Sequence, residues 1–187
     1  MNWATHFFTG YLIARLIGLK HKEFKTFYIS LACTIPDFDS LFIFLFPHGT
    51  WTHTILFGSL LTLVYILIFA IILKKIPDVE FPGWKFLIGF AFLGLTIHLS
   101  QDIVTYYKGD CENTIAHLYF YPFSDQSYHM NCLWPNVEYW QRTVAEYAYF
   151  IPLILVVLYR WYKLGENPFD MLKVKNWKEE ERFSGNH

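Results

Sequence analysis

Six residues in four separate stretches of this chain have the chemistry of metal ligands. His6 lies in "THFFTG", Asp37 and Asp39 in "IPDFDS", His53 in "HGTWTHT", and His98 and Asp102 in "HLSQD". Imidazole and carboxylate are suitable donors for Zn²⁺ and related divalent ions. His98 and Asp102 are spaced i, i+4, so a helix would present both from one face. Asp37 and Asp39 flank a single residue on backbone that Pro36 makes irregular. His48 stands five residues before His53, where the chain turns at the same predicted face. The plainer readings are an N-capping aspartate opening a helix at Leu41, a surface hydrogen bond between His98 and Asp102, and interfacial histidines. Taken together on one predicted face, the six favour a site over a set of unrelated side chains.

The elements that must position them are apolar. The chain has 187 residues, 54% hydrophobic and 21% aromatic, with 17% charged and a mean hydropathy of +0.25. Soluble domains carry about 25% charged residues, so the composition predicts an all-α, polytopic membrane protein. A carboxylate inside such a segment is costly without a partner and marks a functional site by default. The net charge of −1 gives no sign of a nucleic-acid partner. The N-terminus lacks the pattern of a cleavable signal peptide.

Residues 3 to 19 predict a helix stopped near Gly18. Phe27 to Phe46 predicts a broken membrane segment interrupted around Pro36. Ile55 to Leu73 is a run of 19 uncharged residues, roughly 28 Å of helix and close to a bilayer core. Trp84 to Val104 and Val144 to Tyr162 complete a bundle of about four spans. Residues 1–162 are expected to form the membrane-embedded domain, with an extracytoplasmic loop at 105–140. Residues 163–187 read as a charged cytoplasmic tail.

Lysine and arginine set the orientation. Lys20, Lys22 and Lys25, then Lys74, Lys75 and Lys85, then Arg160, Lys163 and the tail lysines fall on one side of a zigzag of spans, taken as cytoplasmic. Trp3 to His6, Pro47 to His53 and the 105–140 loop then share the opposite side. Ionisable groups gathered at one depth suit a site, whereas a conduction path spreads them through the membrane. Cys33 reads as a small core residue, and Cys111 and Cys132 share one loop and allow a disulfide there. Nothing in the pattern sets an oligomeric state.

In order, "THFFTG", "IPDFDS", "HGTWTHT" and "HLSQD" resemble the membrane-bound metal-dependent hydrolases of the YdjM-like family, over about residues 1 to 125. These are also described, by inference, as LexA-binding, inner-membrane-associated hydrolases. The family motif reads His-Arg-Gly-x-Thr-His-Ser, and this chain has Gly49, Thr50 and Thr54 in place of its Arg, Gly and Ser. No arginine is therefore available at that point to meet a substrate anion. A more distant similarity is to the zinc-dependent phospholipase C superfamily. The resemblance implies a metal set of His6, Asp37, Asp39, His53, His98 and Asp102, with His48 and Asp39 in catalysis. It further implies one to three divalent ions, zinc or manganese, and hydrolysis of a lipid phosphoester in the plasma (inner) membrane. His117, His129, Glu138 and Glu146 are open as additional ligands. The rival expectation is a non-enzymatic scaffold or metal-handling protein.

Overall fold

The computed structural model describes residues 3–42, 52–77, 79–105, 119–124 and 139–178. Every regular element among them is helical, as the composition predicts. The order is α1 (Trp3–Leu16), α2 (Phe24–Ala32), a 3-10 segment (Ile35–Phe42), α3 (Ile55–Lys75), α4 (Trp84–Thr105), α5 (Tyr139–Leu164), a 3-10 turn (Pro168–Leu172) and α6 (Val174–Lys178).

Two helices, Ile55–Lys75 and the Trp84–Ile103 part of α4, are long and apolar enough to cross a membrane among the described residues. The outward face of α3 carries Leu60, Leu63, Val64, Leu67, Ile68 and Ile71, each about half exposed. A row of exposed aliphatic residues on so long a helix is suited to lipid. The first two helices are shorter than the sequence pattern suggests. α1 has 14 residues and α2 has 9, about 21 and 14 Å at the α-helical rise, so neither spans a bilayer alone. The chain after α1 turns through Gly18 with φ +88°, a left-handed conformation that favours glycine. The expected break in the second segment is present, but α2 already ends at Ala32 and the tighter helix starts at Ile35.

A buried aromatic core joins α2, α3 and α4 near the far end from the acidic residues. Phe24, Tyr28, Tyr65 and Phe69 pack with centroids 4.7 to 5.9 Å apart. Their hydroxyls are satisfied, as buried tyrosines require: Tyr28 donates to the Leu87 carbonyl at 2.8 Å and Tyr65 to the Tyr28 carbonyl at 2.7 Å. Residues 165–178, read from sequence as part of the tail, fold back onto α1 and α2. Trp177 stacks on Phe27 at 5.5 Å and Met171 is fully buried. His48, Cys111, Cys132, His117, His129, Glu138 and residues 179–187 lie outside the described residues.

Candidate metal centre

Two close helix approaches set the frame of the site. A Cβ added at Gly10 would stand 2.7 Å from the Ile29 carbonyl oxygen and the Ser30 Cα. One added at Gly94 would stand 2.7 Å from the Ala32 carbonyl carbon and Cβ. Glycine therefore lets α1 and α4 lie directly on α2, a packing mode suited to helices in lipid. His6 is one turn along α1 from Gly10, and His98 is one turn along α4 from Gly94. Both glycines thus bring an imidazole to the C-terminal end of α2, where the chain breaks into the 3-10 segment bearing Asp37. Trp3 ties α1 to that segment by donating to the Asp37 carbonyl at 3.3 Å. Thr54 caps α3, accepting from the Phe57 N–H at 3.1 Å, and fixes the chain direction just after His53.

The side chains converge. His98 Nε2 lies 3.0 Å from Asp102 Oδ2, 3.7 Å from Asp37 Oδ1 and 3.2 Å from His53 Nε2. His53 Nε2 is 3.3 Å from Asp102 Oδ2 and 3.5 Å from Asp37 Oδ1. His6 Nε2 faces the other oxygen of each acid, Asp102 Oδ1 at 3.3 Å and Asp37 Oδ2 at 3.9 Å. The His6 ring stacks on His98 at 3.8 Å. All five residues are at most 2% exposed. The expected single point of approach is therefore present, built from four stretches of chain. Asp39 has a different place. Its Oδ2 accepts from Thr52 Oγ1 at 2.6 Å and is 3.8 Å from His53 Nδ1, on the far side of that ring. Glu146 lies on α5 and belongs to none of the candidate ligand groups among the described residues.

The outer ring nitrogens fix what the inner ones offer. His98 Nδ1 is 2.8 Å from the Cys33 carbonyl. A carbonyl only accepts, so Nδ1 carries the proton and Nε2 presents a lone pair. His53 Nδ1 is 3.1 Å from Thr52 Oγ1, whose proton goes to Asp39, so it donates outward too. His6 Nδ1 is 2.7 Å from Gln101 Oε1. Three imidazole lone pairs thus face two carboxylates, and each of these groups is an acceptor. His6 Nε2 is buried without a hydrogen bond, a state that costs about 1–3 kcal/mol if nothing meets it. A proton can bridge one such pair, whereas a zinc ion accepts four or five donors at once. The donor set therefore fits a divalent cation. Two overlapping groups, His6/Asp37/His98 and His53/His98/Asp102, have ligand atoms within 4.8 Å of one another. Each carboxylate straddles them, with one oxygen toward His6 and the other toward His53 and His98.

The sequence reading passed over Thr52 and Gln101, although both stand inside the quoted motifs. Their signal was position: Thr52 precedes His53, and Gln101 lies one turn from His98 on α4.

Comparison with known proteins gives one family. The family model described as YdjM inner membrane protein matches residues 1–167, and the chain belongs to that family. No curated protein and no solved structure matches it. The family and the two apolar helices together give the protein a membrane location.

Proposed function

We propose that this member of the YdjM inner membrane protein family is a metal-dependent hydrolase, acting on an ester of a membrane lipid, with a phosphoester foremost. The observation that carries the reading is the buried set of acceptors, His6, His53 and His98 Nε2 opposite the Asp37 and Asp102 carboxylates. These five would hold the ion. A divalent ion bound there, zinc or manganese, supplies Lewis-acid polarisation and a water nucleophile usable near neutral pH. The straddling carboxylates suit a second ion on the His6 side, since the one inward lone pair of His98 serves a single ion.

This chain's own residues do the rest. Cys33, Thr52 and Gln101 hold the three imidazoles with their lone pairs inward, which raises ligand basicity and fixes ring orientation. Asp39, behind His53, is placed to take up a proton through Thr52. Lipid fits the surroundings. An apolar cavity of about 380 Å³ opens between α3 and α4, lined by Ile55, Phe92, Leu95, Leu99, Tyr119 and Phe120 among others. That is within the size range of ligand pockets. Leu95, Leu99 and Tyr119 form the buried cluster at its floor, and Leu99 adjoins His98 in sequence. The lysines at 74, 75 and 85 sit at the opposite helix ends from the cluster, which supports an extracytoplasmic site.

The near-complete burial of all five groups favours one second reading, a closed structural metal site in a scaffold or metal-handling protein. One experiment separates the two. Purified protein loaded with Zn²⁺ or Mn²⁺ is offered phospholipid and isoprenoid-phosphate panels beside a His53→Ala/Asp102→Ala control. Turnover by the wild type alone supports the hydrolase. A filled metal site with no turnover on any panel supports the structural site.

A further inference from the structure

Gln101 has no part in the ligand set, yet it joins three helices beside it. Its Oε1 is 2.7 Å from His6 Nδ1 on α1. Its amide nitrogen donates to Thr9 Oγ1 at 2.9 Å and to the Tyr149 hydroxyl on α5 at 2.7 Å. Thr9 in turn donates to the Thr5 carbonyl at 2.7 Å, so it must accept from Gln101 and from Tyr149, whose hydroxyl is 3.0 Å away. A hydroxyl oxygen has two lone pairs for those two bonds. Both amide protons of Gln101 are then committed, and the amide cannot turn over. Its oxygen is left facing His6, which must be protonated at Nδ1. The ring is held between that bond and the stacked face of His98.

We propose that Gln101 is a positioning residue that holds His6 with Nε2 directed into the metal centre, and that Tyr149 and Thr9 lock Gln101 in the required orientation. The assignment rests on the metal-binding reading of the cluster. No described α5 residue belongs to the candidate ligand groups, and Tyr149 connects that helix to the site through Gln101 and Thr9. Such partners of metal-bound histidines change affinity about 10–100-fold when lost.

The test uses full-length protein in detergent and two readouts, Zn²⁺ affinity by chelator competition and the visible spectrum of the Co²⁺-loaded protein. Gln101→Leu should weaken Zn²⁺ by about 10–100-fold and alter the Co²⁺ spectrum. Gln101→Glu keeps the acceptor and should restore most of the affinity. Tyr149→Phe, which removes one hydroxyl from a 40% exposed side chain, should give a smaller loss with helix content retained. In a His6→Ala background, Gln101→Leu should weaken Zn²⁺ no further, because its route to the metal is gone. An equal further loss in that background overturns the assignment, as does wild-type affinity in Gln101→Leu. If the wild type takes up no Zn²⁺, the metal reading falls and this assignment with it. Wild-type uptake with an unaffected Gln101→Leu removes this assignment alone.

Discussion

His98 Nδ1 donates to the carbonyl of Cys33 at 2.8 Å, across 65 residues of sequence. The bond joins α4 to the point where α2 ends and the Asp37 segment begins. It depends on backbone proximity, because Gly94, one turn before His98, lies against Ala32. Gly94→Ala should therefore push α4 away, break this bond and cost about 1–3 kcal/mol, the usual cost of overpacking. Zn²⁺ affinity should fall together with the unfolding temperature. Gly89→Ala is the comparison, since a Cβ there meets nothing within 4 Å. That change should be neutral or stabilising by at most about 1 kcal/mol. Equal effects of the two substitutions would refute the close-approach account.

Removing the metal should lower stability without dissolving the helices. A ligand that binds only the folded state adds about 2.7 kcal/mol at one hundred times its dissociation constant. Chelator treatment should lower the unfolding temperature in detergent, and added Zn²⁺ should restore it. His98→Ala and Asp102→Ala should lose the metal and the response to chelator, while circular dichroism still reports a helical protein. A full chelator response in both variants would place the ion elsewhere.

How much of this was legible beforehand depends on the kind of residue. Long apolar runs announce themselves, and α3 and α4 begin at the residues their composition indicates and end within two of the expected positions. The candidate ligand types were legible because carboxylates and imidazoles are costly in apolar segments. The end of α1 was legible as well, since the helix stops at Leu16, just before the Gly18 turn that the sequence indicates. The length of α2 was not: it stops at its contact with α4, which a hydropathy pattern does not contain. Pro36 suggested a break at its own position, but the chain leaves the α-helix earlier, at Cys33, whose carbonyl then serves His98. Neutral side chains such as Gln101 and Thr52 carry no composition signal. Their roles come from hydrogen bonds between distant elements.

Glu166 links α1 and α5 at the other end of the bundle. Arg15 and Arg160 each hold it with two bonds, 2.6 and 3.1 Å from Arg15 and 2.7 and 3.0 Å from Arg160. The carboxylate is 14% exposed. Burial pushes its pKa up, but the hydrogen bonds and charges of the two arginines outweigh this and hold it below the ordinary glutamate value. A depressed carboxylate contributes its stability above its unfolded pKa and loses it as pH falls through the folded one. Wild-type stability should therefore keep this contribution down to about pH 4.5, the ordinary value, and lose it below. Glu166→Gln should cost about 2 kcal/mol at neutral pH and lack that acid-side loss. Parallel pH profiles for the two proteins would show that the pair is too solvated to matter.

Asp37 and Asp39 are two residues apart, and the geometry gives them different work. Asp37 directs one oxygen toward His53 and His98 and the other toward His6, at 3.5 to 3.9 Å. Asp39 meets His53 from behind, through Thr52. Substituting asparagine preserves size and removes charge, so the two changes are comparable. Asp37→Asn takes a shared anionic ligand from the centre of three imidazoles and should abolish stoichiometric Zn²⁺ binding. Asp39→Asn leaves every inward donor in place and loosens the orientation of one ring. It should keep the stoichiometry and weaken affinity about 10–100-fold, the usual effect of a partner behind a ligand. Thr52→Val interrupts the same link from its other end, so it should resemble Asp39→Asn and add little to it in the double variant. Zinc content and chelator competition on the four proteins give the answer. Loss of stoichiometric zinc in Asp39→Asn as complete as in Asp37→Asn would make Asp39 a ligand itself and reverse this division of roles.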